Sequence, residues 1–385
     1  MPSTPPHYSD AGWLQWPDNE AYSFQFMRML GAAQEGASTV SECFFAARRI
    51  TPGDDESWYE AWKSVADINN ARGVEALARG GLNAATGNWL RASNYYRCAE
   101  LFMDAQDPRR EFLFRSMRQC SALYLEHSQP SGEIVRIPYQ GGSFLEGYFI
   151  GSPCDRPLRP VVVCIGGADL CKDELLYTMR RSAAGNCLSL LLVDLPGFEA
   201  ATDENRLSPR IDVEVPVGRW VDYLLARGDI DPSRIALYGD GLGSSHATRI
   251  ASRDQRFAAA VCDGGLWDRH ERQFATRRIG RDEATAGARA WMTGAHSGTK
   301  LRCSSLMTIG QHDYIAVENA IEVHESAKRS GMPLALKVFS TEETAASPGH
   351  IDNPTLAKEF VFDWLRRKLG STKHIPANSE DACDR

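Results

Sequence analysis

The sequence predicts an α/β protein: a mostly parallel eight-stranded sheet with helices on both faces, preceded by an all-helical N-terminal domain. Three observations predict it. From Asn19 to about Glu126, apolar residues recur at helical spacing and strand alternation is missing. After Pro130-Ser131-Gly132 the chain turns to short apolar runs separated by segments long enough for helices, the rhythm of βα units and hence of a parallel sheet covered on both faces. One of those runs, Ile235 to Tyr238, leads through glycines into a segment where Leu242, His246 and Ile250 recur at helical spacing, so strand, sharp turn and helix follow one another directly.

The elements follow in order. Met1 to His7 has neither a charged n-region nor an apolar h-region, and no later run is long enough to span a bilayer, so the chain reads as soluble and cytoplasmic. Residues 1–130 form the helical domain: Tyr22, Phe26, Met29 and Leu30, then Trp58, Trp62 and Val65, then Trp89, Ala92, Tyr96 and Ala99 mark helix faces. Thr51-Pro52-Gly53-Asp54-Asp55 and Gly80-Gly81-Leu82-Asn83 punctuate them, and the aromatics read as helix-packing core. Residues 131–370 form the sheet domain, opening with a hairpin, Glu133 to Tyr139 and Ser143 to Ile150, around Gln140-Gly141-Gly142. Six runs follow: Val161 to Ile165, Ser189 to Val193, Ile235 to Tyr238, Ala258 to Cys262, Ser305 to Ile309 and Leu334 to Phe339. The stretch 267–303 exceeds a simple crossover and reads as a lid insertion, and the polar tail 371–385 reads as disordered.

Bulk composition narrows the partners. With 43 Lys and Arg against 50 Asp and Glu and no basic block, nucleic acid and anionic membranes are excluded as main partners, leaving a small-molecule substrate. The cysteines are scattered, without C-x-x-C pairs or histidines at metal spacing, so no metal and no cofactor is expected and most thiols read as buried in a reducing compartment.

Ligands bind at the C-terminal ends of parallel strands, and three positions there carry chemistry. The turn Gly239-Asp240-Gly241-Leu242-Gly243 has the layout of the nucleophile elbow G-x-S-x-G, with Gly241 where the serine belongs. Asp313, in Gln311-His312-Asp313-Tyr314, follows the seventh strand, and His350, in Pro348-Gly349-His350, follows the eighth. Elbow, acid, histidine is the order this architecture requires, with Asp313 expected to hydrogen-bond His350. Asp263, after the sixth strand, is the rival acid; Asp240 reads as a turn residue, His246 as helix core, and His312 as a neighbour of the acid. Backbone N–H groups of Gly167 and Ala168, in Gly166-Gly167-Ala168-Asp169, and of Leu242 form the expected oxyanion site.

Taken together, Ser57-Trp58-Tyr59-Glu60-Ala61-Trp62, Ala92-Ser93-Asn94-Tyr95-Tyr96-Arg97, the Ile165-Gly166-Gly167-Ala168-Asp169 turn, Asp194-Leu195-Pro196-Gly197-Phe198, the elbow and Gly349-His350 resemble the α/β-hydrolases typified by 2,6-dihydroxypseudo-oxynicotine hydrolase and the fungal hydrolases that shorten polyketide chains. The resemblance implies that the N-terminal helices cap the site, that C–C or ester bonds beside a carbonyl are cleaved, and that the protein forms a homodimer. Glycine at 241 departs from the pattern and supplies no nucleophile, so no acyl-enzyme forms there. Three explanations stay open: a serine hydrolase whose serine is replaced, direct attack by water activated at His350, and proton transfer in an elimination, isomerisation or cyclisation. A slipped register would instead make Asp240 the nucleophile, and an inactive binding protein is the rival from outside enzymology.

Overall fold

The computed structural model describes residues 15–104, 106–166, 170–197, 207, 212–265 and 301–370. The first of these form α1 (Glu20–Gly31), α2 (Val40–Ala47), α3 (Asp55–Ala78), α4 (Leu82–Glu100) and α5 (Arg109–His127). Side-chain caps set three of the starts: Asn19 accepts from the Tyr22 N–H, Thr39 from Glu42, and Asp54 from Glu56 and Ser57. The helices close on an aromatic cluster that includes Trp58, Trp62, Trp89 and Tyr95, all fully buried, so the aromatic stripes in the sequence are packing surface.

The sheet comprises β1 (Gly132–Pro138), β2 (Phe144–Ile150), β3 (Arg159–Ile165), β4 (Ser189–Val193), β5 (Ile230–Asp240), β6 (Phe257–Asp263), β7 (Ser304–Gly310) and β8 (Leu334–Phe339), in the order β1-β2-β4-β3-β5-β6-β7-β8. β2 is antiparallel to β1 and β4, and every later pairing is parallel. The flanking helices are α6 (Lys172–Gly185), α7 (Glu214–Ala226), α8 (Leu242–Arg253), α9 (Val317–Arg329) and α10 (Pro354–Lys368). Strand residues alternate between two cores. Val161, Val163 and Ile165 pack with α7, α8 and α9, whereas Val162 and Cys164 pack with α6 and α10.

The helical bundle is bolted to α6. Glu174 receives Arg28 from α1 at 2.8 Å and Arg97 from α4 at 3.0 Å. Burial opposes ionisation of Glu174, but the two guanidiniums and hydrogen bonds prevail and hold its pKa at about 2. Cys154 and Cys187, with Cα atoms 5.5 Å apart, form a disulfide, a correction to the expectation of reduced thiols for this pair; Cys43, Cys98, Cys120, Cys164, Cys171 and Cys262 are buried thiols. The lid expected at 267–303, except for its last three residues, and the tail expected at 371–385 lie outside the described residues. Among those described, no helix is long and apolar enough to cross a membrane.

Candidate active site

Parallel register lines up the strand ends. Asp240 of β5 is opposite Asp263 of β6, and Asp263 is opposite Thr308 of β7. Immediately after Asp240 the chain reverses at Gly241, with φ 53° and ψ −118°, a conformation closed to ordinary L-residues. The flanking glycines are required by contact: a Cβ on Gly239 would lie 2.1 Å from the Gly243 carbonyl oxygen, and one on Gly243 would lie 2.7 Å from that of Gly166. The turn therefore has the steric requirements of a nucleophile elbow, with a glycine at its tip. Leu242 opens α8, so its N–H belongs to the helix's N-terminal donors. Ser244 Oγ donates to the Gly241 carbonyl at 2.7 Å, a first-turn helix contact.

Around this turn stands a buried charge network. Lys358 Nζ, from α10, donates to Asp263 Oδ2 at 2.7 Å, to Asp240 Oδ2 at 3.0 Å and to the Tyr238 hydroxyl. Asp263 Oδ1 accepts from Thr308 Oγ1 at 2.6 Å and faces His350 Nε2 at 2.9 Å. His350 Nδ1 lies 2.7 Å from the Ala345 carbonyl, so each ring nitrogen faces an oxygen acceptor. Burial by itself would lower the His350 pKa, but the charge of Asp263, the bonds to Asp263 and Ala345, and the charge of Asp313 together raise it, favouring the imidazolium. Asp263 shows the mirror effect. Burial works against its charge, yet Lys358 and His350 hold its pKa well below the usual carboxylate range.

The pairing of His350 with Asp263 corrects the sequence expectation, which gave the hydrogen bond to Asp313. The reason is anchorage: Lys358 and Thr308 pin Asp263 as a fixed anion beside the ring, whereas Asp313 Oδ1 accepts the Tyr314 N–H at 2.7 Å. The other oxygen, Asp313 Oδ2, is buried and has no hydrogen-bond partner among the described residues. Desolvation pushes this carboxyl up to about 7, although nearby His350 works in the opposite direction.

Part of this network borders a cavity of about 110 Å³ at the sheet's C-terminal edge. Asp240, Gly241, Asp263, Asp313 and Lys358 line it from the sheet side, and α1 supplies Phe24, Arg28 and Gly31 from the other. Pro348, Gly349 and Ile351 line it on either side of His350, which has φ +56°. His246 is fully buried within α8 and is not part of the lining; burial, then the charge of Arg249, lowers its pKa to about 4. His312 lies outside the lining too, its Nε2 2.9 Å from Thr341 Oγ1. Gly167 and Ala168 fall outside the described residues.

Sequence reasoning missed Lys358 and Tyr238. A signal for the lysine was present: Lys358 falls at helical spacing from Val361, Phe362 and Leu365 on the buried face of α10, where a charge needs partners.

No protein-family model matches the chain. Hydrolyase poxO of Penicillium oxalicum is 34% identical over 262 residues, 65% of this chain and 62% of that protein. The 20-hydroxy-prefusarin hydrolase of Gibberella moniliformis is 32% identical over 262 residues, 64% of this chain and 61% of its own length. The matched region thus spans about three-fifths of these relatives. Among solved structures, 2,6-dihydroxy-pseudo-oxynicotine hydrolase superposes with a TM-score of 0.72 at 18% identity, covering 90% of this chain and 98% of that one. AbyA5 superposes with a TM-score of 0.62 at 17% identity, covering 89% and 92%. At these identities, the structural likeness speaks for the fold.

Proposed function

We propose, from the premise that the chain belongs to the α/β-hydrolase superfamily, that it is a hydrolase of a small, carbonyl-bearing metabolite of aromatic or polyketide-like character, and that water replaces the missing serine. The names of the relatives support the substrate class, and the helical bundle acts as the cap that completes the cavity. The observation that carries the reading is the set Asp263, His350 and Asp313 gathered beside a glycine-tipped elbow.

Water attacks the carbonyl carbon in the space over Gly241. Asp313, with an unbonded oxygen and a pKa near neutrality, takes its proton, while the His350 imidazolium steadies the charge on Asp313. The carbonyl oxygen becomes an oxyanion facing the N-terminus of α8 at Leu242. When the intermediate collapses, the bond to the leaving group breaks and Asp313 returns the proton to that group. Atoms balance, and no covalent enzyme intermediate forms.

A second reading has its own support: among the described residues lining the cavity, Asp313 is suited to carrying a proton and none is a serine or cysteine nucleophile. That set equally serves an elimination, isomerisation or cyclisation. Turnover of aryl-ketone and ester substrates in ¹⁸O-water separates the two. One heavy oxygen in the product acid supports hydrolysis, whereas turnover without it selects proton transfer. Labelling by a serine-directed phosphonate and a gain of turnover, both appearing only in Gly241→Ser, would show instead that the site is a serine site lacking its serine.

A further inference from the structure

A second cavity, of about 270 Å³, lies between α5, the linker into β1 and α6. Glu35 and Tyr177 line both this cavity and the one at the elbow. Ile150, Leu188 and Leu190 give it an apolar wall, and its charged lining residues are Arg180 and Arg181 of α6 and the carboxylate of Glu35, which sits beside Arg181.

Arg180 is poorly compensated for a cation in this position. Nη2 donates to the Pro130 carbonyl, and the guanidinium carbon lies 5.0 Å from the centre of the Tyr124 ring. Nη1 is buried without a hydrogen-bond partner among the described residues, and no carboxylate among them lies within ion-pair distance of Arg180. Burial pulls its pKa down, against the charge of Tyr124. Its neighbour Arg181 differs, with Glu35 at 3.8 Å. Buried charges are ordinarily paired, and a guanidinium that lines a cavity while one of its donors is still unbonded can receive an anion.

We propose that this cavity binds a small organic carboxylate, its oxygens on Arg180 and its apolar body against Ile150, Leu188 and Leu190. The assignment goes beyond the elbow chemistry and stands without it. If that chemistry is hydrolytic, the acid it releases is one such ligand.

Benzoate is the probe, with benzyl alcohol as its neutral counterpart, both titrated calorimetrically into the full chain at pH 7.5. Benzoate is expected to bind at least about tenfold more tightly than the alcohol and to lose that advantage in Arg180→Met. Benzoate is also expected to protect Arg180 from phenylglyoxal in peptide mapping of the unmutated protein, which decides the matter if the variant does not fold. Absence of binding heat, equal affinity in Arg180→Met, or protection falling on Arg28 in place of Arg180 each overturns the proposal. None of these measurements depends on turnover, so they are independent of the reading of Gly241.

Discussion

Replacing Gly241 by alanine probes whether the fold imposes the elbow's backbone. The observed φ of 53° with ψ of −118° lies outside even the small left-handed basin that L-residues visit. Holding a non-glycine residue in such a region costs about 1–3 kcal/mol. Gly87, in the middle of α4, provides the opposite case: an added Cβ would meet only Arg91 Nη1 at 3.4 Å, an ordinary contact. There the same change should stabilise by about 0.5–1 kcal/mol through helix propensity and a less flexible unfolded chain. The two substitutions should therefore differ by about 1.5–4 kcal/mol in opposite directions. Urea denaturation at constant pH, followed by far-ultraviolet circular dichroism, measures both midpoints. Gly241→Ala as stable as the unmutated chain, alongside a stabilised Gly87→Ala, would refute the idea that packing holds the turn in its strained form. Gly241→Ser should carry the same penalty as the alanine variant whether or not it gains activity.

Two further outcomes follow from the charge network. Lys358→Met leaves Asp240 and Asp263 without their shared cation and should destabilise by about 3–5 kcal/mol in urea; it should also move the His350 titration, followed by NMR of the ring protons, to higher pH, and an unmoved titration would show that the two cations do not share Asp263. Asp313 has a folded pKa of about 7 against 3.8 for the ordinary carboxyl, so its contribution to stability is complete below pH 3.8 and disappears as pH rises through 7, a difference of about 4 kcal/mol. Asp313→Asn should therefore be more stable relative to the unmutated chain at pH 8 than at pH 4, and equal differences at both would rule out a buried, near-neutral carboxyl.

The sheet was legible because each strand buried on both faces leaves an unbroken apolar run, and Val161 to Ile165 or Ser189 to Val193 can hardly be read otherwise. The elbow was legible for a related reason, since its glycines answer to contacts within a few residues and across to β3. The partner of His350 was not. Choosing Asp263 over Asp313 depends on Lys358 and Thr308, which reach the same carboxylate from α10 and β7, and no local pattern encodes that convergence. The pairing of Cys154 with Cys187 was hidden similarly, because 33 positions separate two residues whose spacing suggests nothing.

Phe24 and Gly31 of α1 wall the cavity opposite the strand ends, and they belong to a bundle with its own aromatic core. On the function proposed above, size and reactivity are thus written in different parts of the chain. A bulkier or smaller side chain at Phe24 redraws the wall it forms with Ile351 and Tyr314, whereas Gly31 leaves less latitude because an added Cβ would come within 3.1 Å of the Ile351 carbonyl oxygen. On that same proposed function, libraries aimed at substrate range belong on α1, and those aimed at reaction type on the elbow and α10.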